Sequence, residues 1–263
     1  MSDQAPERSG ARYWLTLAFI GVLGGLLSGA FGVGGGIIMV PLLAGIAGLN
    51  QREAASTSLI AIMPTALTGS IVYVLNGEVD LLAAVIVSIG AIVGAIIGSW
   101  LLRRLSVGVL RWLFVALLIV VAVRMLFVVP ARGEEVEQSL GVVLGMLALG
   151  LVMGIASGLF GIGGGVLAVP VLIAVFGMGD LVAKGTSLLI MIPTSIFGSA
   201  MNLRGRTVSV RAGLLVGAAA SVASIGGAAL AFIIPPQLSG ILFAVLVIAA
   251  AIQLTVKAIR AGR

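Results

Sequence analysis

The sequence predicts an all-α polytopic membrane protein of two five-segment inverted repeats, each with a glycine-rich break before a short helix. Three observations carry that prediction. The first is composition: the 263-residue chain is 60% hydrophobic and 9% charged, with 38 glycines. That is more apolar surface than a water-soluble fold can hide. The second is repetition. Residues 28–41 read SGAFGVGGGIIMVP and residues 157–170 read SGLFGIGGGVLAVP, an offset of 129 positions. The same offset relates Thr57-Ser58-Leu59 to Thr186-Ser187-Leu188, Pro64-Thr65 to Pro193-Thr194 and Gly69-Ser70 to Gly198-Ser199. The third is parity. Five apolar segments fall in each half, an odd number, so the second half enters the bilayer upside down relative to the first.

The elements follow in order. A polar tail, residues 1–12, precedes the first repeat, residues 13–130. Its segments are Tyr13–Ala30, Gly36–Leu49, Ala54–Leu75, Leu81–Leu102 and Val109–Val129. No small-x-small cleavage site with a soluble mature domain follows the first apolar stretch, Trp14 to Leu27, which therefore reads as retained in the membrane. A polar, acidic linker, residues 131–139, leads to the second repeat, residues 140–263. The segments there are Leu140–Leu159, Gly165–Met178, Ala183–Leu203, Val210–Ile234 and Leu238–Ala258. Most reach the roughly 20 residues that a ~30 Å hydrocarbon core demands. The two that follow the glycine triplets are shorter. Each pairs with the segment before it, as two tilted spans or as a re-entrant hairpin with the glycines at its tip. Both arrangements return the chain to the side it left.

Basic residues set the orientation. With the N-terminus in the cytoplasm, Arg8, Arg12, Arg52, Arg103, Arg104, Arg111, Arg204, Arg206, Arg211, Lys257, Arg260 and Arg263 all lie inside. Outside lie Glu78, Asp80, Glu134, Glu135, Glu137 and Asp180, with Arg132 and Lys184 as the cations. The expected location is the plasma (cell inner) membrane, multi-pass, with both termini cytoplasmic. The net charge of +6 then reads as cytoplasmic loops rather than a nucleic-acid surface.

The absence of Cys and His removes thiolate chemistry, disulfides and histidine switches. No nucleophile–base pair, metal site or cofactor motif can be drawn, so no catalytic residue and no enzyme is expected. The chemistry sits instead at the breaks. A helix that starts inside the membrane leaves its first N–H groups unpaired and its positive dipole end exposed. Such a backbone is tolerated only in protein or against a wet cavity, and a helix N-terminus of this kind binds anions. Gly34, Gly35 and Gly36, and Gly163, Gly164 and Gly165, precede the two short helices. Inverted symmetry brings two such ends together near the midplane. Ser28, Thr57, Ser58, Thr65, Ser157, Thr186, Ser187 and Thr194 are the candidate substrate hydroxyls beside them. Thr68, Ser70, Ser199 and Asn202 extend the polar set. Pro41, Pro64, Pro170 and Pro193 are structural breaks that free the carbonyls four residues earlier.

Each position also has a structural reading. The triplets serve equally as tight packing turns, and single hydroxyls bond their own helix's carbonyls. Gly90, Gly94, Gly98, Gly150, Gly154 and Gly158 read as helix-packing positions. Arg124 reads as a snorkelling side chain and Lys184 as an interface lysine, with the drawing of anions to an outer mouth as the alternative. No Asp, Glu or His falls within the segments drawn above, so no side-chain proton relay is expected.

The doubled S-G-x-F-G-[VI]-G-G-G-x-x-x-V-P signature, each copy followed by A-x-x-T-S, resembles the sulfite exporter TauE/SafE family of membrane permeases, also called the TSUP family. The resemblance runs from about Trp14 to Lys257. It implies transport of a small anion such as sulfite, another sulfur oxyanion or an organosulfonate, often outward. An anion channel using the same site and a non-transporting scaffold are the alternatives. The expected partners are the anion substrate and the lipid bilayer, with a homodimer and a coupling ion, sodium or proton, as further candidates and no nucleic acid.

Overall fold

The structure is a computed structural model that describes residues 10–127, 139–204 and 209–261, without the side chains at 121–127, 204, 254 and 257–261. The linker 131–138 and the Arg124 side chain lie outside the described residues. Among these residues there are ten helices and no strand. They are α1 (Ala11–Phe31), α2 (Gly36–Gly45), α3 (Gln51–Leu75), α4 (Leu81–Arg104), α5 (Val107–Phe127), α6 (Leu140–Phe160), α7 (Gly165–Ala174), α8 (Asp180–Arg204), α9 (Val210–Ala231) and α10 (Pro236–Ala261). Seven are long and apolar enough to cross a membrane: α1, α3, α4, α6, α8, α9 and α10.

Local chemistry fixes the helix ends. Asn50 and Glu53 form a reciprocal capping box at the start of α3, which satisfies two amides that the helix cannot. The Asp80 carboxylate accepts from Ala83 N–H and starts α4. α1 and α6 stop at Gly32 (φ 68°) and Gly161 (φ 72°), whose N–H groups donate back to the Ser28 and Ser157 carbonyls. At the C-terminal end of α4, Arg52 donates to the Leu102 and Leu105 carbonyls at 3.1 and 2.7 Å.

The short helices are shorter than hydropathy suggests. α2 ends at Gly45 and α7 at Ala174, 10 residues each, against the drawn ends at Leu49 and Met178. The apolar run continues past both helices, but Gly48 and Gly177 turn the chain with left-handed backbones. Ten residues rise about 15 Å, half of a hydrocarbon core. So α1 and α6 have the length of full spans, whereas α2 and α7 reach only half way.

The halves pack by exchange. α1 lies on α9 and α6 on α4; α3 meets α9 and α8 meets α4; α3 packs on α8 and α5 on α10. The seams are backbone against backbone. A Cβ at Gly90, Gly94 or Gly98 would strike the carbonyls of Leu147, Leu151 or Ile155; one at Gly150, Gly154 or Gly158 would strike those of Val87, Ala91 or Ala95. Gly21, Gly25 and Gly29 of α1 meet Val216, Ala220 and Ser224 of α9 in the same way. Lipid offers helices no hydrophobic drive to associate, so close van der Waals approach holds such pairs. Two aromatic pairs obey the same exchange: Phe31–Phe243 and Phe114–Phe160, with centroids 5.5 and 5.3 Å apart.

Candidate functional site: two crossed glycine breaks

The two breaks meet at the centre of the fold. The Cβ position of Gly36 abuts the Gly161 carbonyl and Ile162, and that of Gly165 abuts the Gly32 carbonyl and Val33. They therefore cross antiparallel, and each delivers a short helix N-terminus next to the other. Gly34 and Gly35 have φ of 73° and 68°; Gly163 and Gly164 have 75° and 88°. Only glycine adopts that left-handed region at little cost. A side chain at Gly35 would also strike the Gly24 carbonyl. Valine there fails by strain and clash whether or not a ligand binds, so the triplets cannot be probed by bulk alone.

The hydroxyls divide into three groups. Ser58 donates to the Gly161 carbonyl and Ser187 to the Gly32 carbonyl at 2.8 Å. Each half thus ties down the break of the other. Thr57 accepts from Ser209 N–H at 3.3 Å and Thr186 from Asp80 N–H at 2.9 Å, so this pair holds the starts of α9 and α4. Thr65 and Thr194 donate to the carbonyls of Ala61 and Ile190, one turn back in their own helices. Thr68 bonds Ser221 and Ser224 of α9, and Ser70 donates to the Leu67 carbonyl. Pro41, Pro64, Pro170 and Pro193 all lie inside helices.

Ser28, Ser157 and Ser199 differ from the rest: none of the three hydroxyls has a hydrogen-bond partner. Ser28 and Ser157 are also fully buried, whereas Ser199 is 8% exposed. Ser28 lies one turn after Gly24, whose carbonyl abuts Gly35; Ser157 lies one turn after Met153, whose carbonyl and Cε abut Gly164. Residues four apart share a helix face, so both serines sit on the faces turned to the triplets. The space between the triplets is filled by side chains. Met191 Cε lies where a Cβ of either Gly34 or Gly163 would stand, and Ile62 touches the same two positions. Ile62 and Met191 are themselves repeat counterparts.

One finding corrects the sequence reading. Lys184 is no interface lysine: its side chain is 2% exposed, the only buried cation among the described residues. Its Nζ donates to Asp180 Oδ2 at 2.6 Å and to Ser239 Oγ at 2.9 Å. Asp180, drawn in an outer loop, is the first residue of α8. Like Glu53 of α3, it stands in the first turn of a helix long and apolar enough to cross a membrane. The signal was present as a departure from the repeat, because the counterparts of Asp180 and Lys184 are Gln51 and Ala55.

A family model described as "Sulfite exporter TauE/SafE" matches residues 2–125 and 146–263. The chain belongs to the TauE/SafE family. Its relatives include "Probable membrane transporter protein YunE" of Bacillus subtilis, 28% identical over 214 residues, which cover 72% of this chain and 78% of YunE. A "Probable membrane transporter protein" of Xylella fastidiosa is 34% identical over 172 residues, 64% of this chain and 66% of that protein. No solved structure matches significantly. Membership in TauE/SafE makes this a multi-pass membrane protein of a transporter family, in keeping with its apolar helices.

Proposed function

We propose that the protein is an alternating-access permease for a small anion, a sulfur oxyanion or organosulfonate such as sulfite, and that it works as an exporter. The observation that carries the reading is the pair of unpartnered, fully buried hydroxyls, Ser28 and Ser157, beside two crossed helix N-termini. Burying a hydroxyl without a partner costs free energy, and an anion held there would offset that cost. Helix-end amides supply positive potential without a charged side chain. The remaining candidate hydroxyls act as scaffold: Ser58 and Ser187 hold the breaks, Thr57 and Thr186 the starts of α9 and α4, and Thr65 and Thr194 bond within their own helices. Because Met191 and Ile62 fill the space between the triplets, the geometry favours a carrier over an open channel.

Reconstitution tests this directly. Proteoliposomes should move at least one of sulfite, thiosulfate, methanesulfonate and acetate at a saturable rate. Rates that rise linearly with concentration, with single-channel conductance, would favour the channel.

In this reading the repeats are inverted and both termini are cytoplasmic. The protein has no native cysteine, so single replacements report cleanly. Asn76→Cys, in the exposed loop before α4, should label from outside, and Ser106→Cys, between α4 and α5, from inside. Labelling of both from one side would refute the orientation.

A further inference from the structure

Lys184, Asp180 and Ser239 line a cavity of about 30 Å³ with apolar walls that include Phe31, Pro170 and Phe243. We propose that this cavity is a docking site for the charged head of a small organic anion, which displaces Asp180 from Lys184 as it enters. The inference rests on the permease reading and adds to it a second anion station, at the outer end of α8.

Four observations support it. First, the fold does not need the ion pair. The counterpart place in the first repeat holds Gln51, Ala55, Leu110 and Phe114 where the second holds Asp180, Lys184, Ser239 and Phe243. Both versions keep the same aromatic pair, Phe31–Phe243 or Phe114–Phe160. The duplicated architecture is thus built once with neutral residues and once with charges. A buried ion pair is costly to keep where neutral residues serve the same fold, and here the side chains are 2% and 11% exposed.

Second, Lys184 has capacity left. An ammonium has three donors, and two are used, on Asp180 and Ser239. Third, there is room. A water needs about 10–15 Å³ by this measure, so the cavity accepts about two, and a carboxylate that swings away adds its own volume. The apolar walls suit an anion with a short hydrocarbon tail better than a bare oxyanion. Fourth, the site touches the break. Lys184 Cα lies 2.5 Å from the Cβ position of Gly32, and Ser187 of the same helix donates to the Gly32 carbonyl. Occupancy that shifts the first turn of α8 therefore bears on the first break. Asp180 is the internal stand-in for the ligand: it neutralises Lys184 in the empty state and yields it to an incoming anion.

The test uses the whole protein in proteoliposomes and in detergent, with methanesulfonate, ethanesulfonate, acetate and sulfite as probes. Asp180→Gln/Lys184→Ala installs the residues of the first repeat and should fold. It should lower the apparent affinity of the transported probe by about tenfold or more, the loss of one hydrogen bond to a charged group. Asp180→Asn removes the competitor, so the probe should raise its melting temperature by more than it raises that of the unmodified protein. Unchanged affinity in the double variant, or an equal or smaller shift in Asp180→Asn, overturns the docking site and leaves the permease reading standing. If the unmodified protein moves none of the probes, the permease reading falls first and the docking site with it.

Discussion

Replacing Ser28 and Ser157 together by alanine should abolish measurable transport while leaving the protein as stable as before or more so. The two effects run in opposite directions for one reason. Each hydroxyl is fully buried and unpartnered in the empty protein. Removing such a group relieves a desolvation penalty of about 1–3 kcal/mol. The same hydroxyl donating to a bound anion contributes about 1.5–3 kcal/mol, so its loss weakens binding by about 10- to 150-fold per site. Single variants should each show part of the loss. The check is paired: melting temperature in detergent without anion, and the concentration dependence of transport in proteoliposomes. Ser58→Ala and Ser187→Ala are the contrast. Their hydroxyls are spent on the Gly161 and Gly32 carbonyls, so those variants should lose stability. If Ser28→Ala/Ser157→Ala melts lower and transports normally, the serines are structural and the anion site lies elsewhere.

The contrast between these serine pairs marks how far the sequence could be read. Four helix starts were legible from a polar residue or a glycine triplet: α2 begins at Gly36, α4 at Leu81, α7 at Gly165 and α9 at Val210, whereas α3 and α8 begin at Gln51 and Asp180, three residues before the drawn Ala54 and Ala183, because their polar first turns fall outside an apolar segment. The ends of α2 and α7 were not, because hydropathy cannot see a left-handed glycine inside an apolar run. The packing role of Gly94 and Gly154 was legible from small-residue spacing. The roles of individual hydroxyls were not. Thr57 reads as a cavity hydroxyl on its own helix, yet its partner is the Ser209 amide, 152 residues away. No local pattern predicts such a tertiary capping bond. The Asp180–Lys184 pair was hidden for another reason. At the edge of an apolar segment a charge reads as solvated, and only the fold shows that α10 and the Gly32 turn cover it. Comparison between the repeats was the available route. Positions that kept their chemistry after duplication mark the shared scaffold, and those that diverged to charge mark where the halves took different tasks.

Met191→Ala should separate stability from transport in the opposite sense to the serines. The Met191 side chain lies against both Gly34 and Gly163 and, through Sδ, 2.9 Å from the Cβ position of Gly165. Truncating a buried methionine to alanine costs about 2–5 kcal/mol, so the variant should melt distinctly lower. An anion that lodges between the triplets must first push this side chain aside. Methionine is unbranched and yields more readily than a β-branched residue, but holding it off its preferred rotamer costs of order 0.5–1.5 kcal/mol. Alanine removes that cost, which corresponds to about 2- to 12-fold tighter apparent binding. Ile62→Ala, at the counterpart position, should act in the same direction, and the double variant should pass anions with weakened saturation because neither plug remains. Melting curves and saturation curves on the same preparations decide the matter. A fall in transport that parallels the fall in stability would show that Met191 is packing alone, with no ligand entering the space between the triplets.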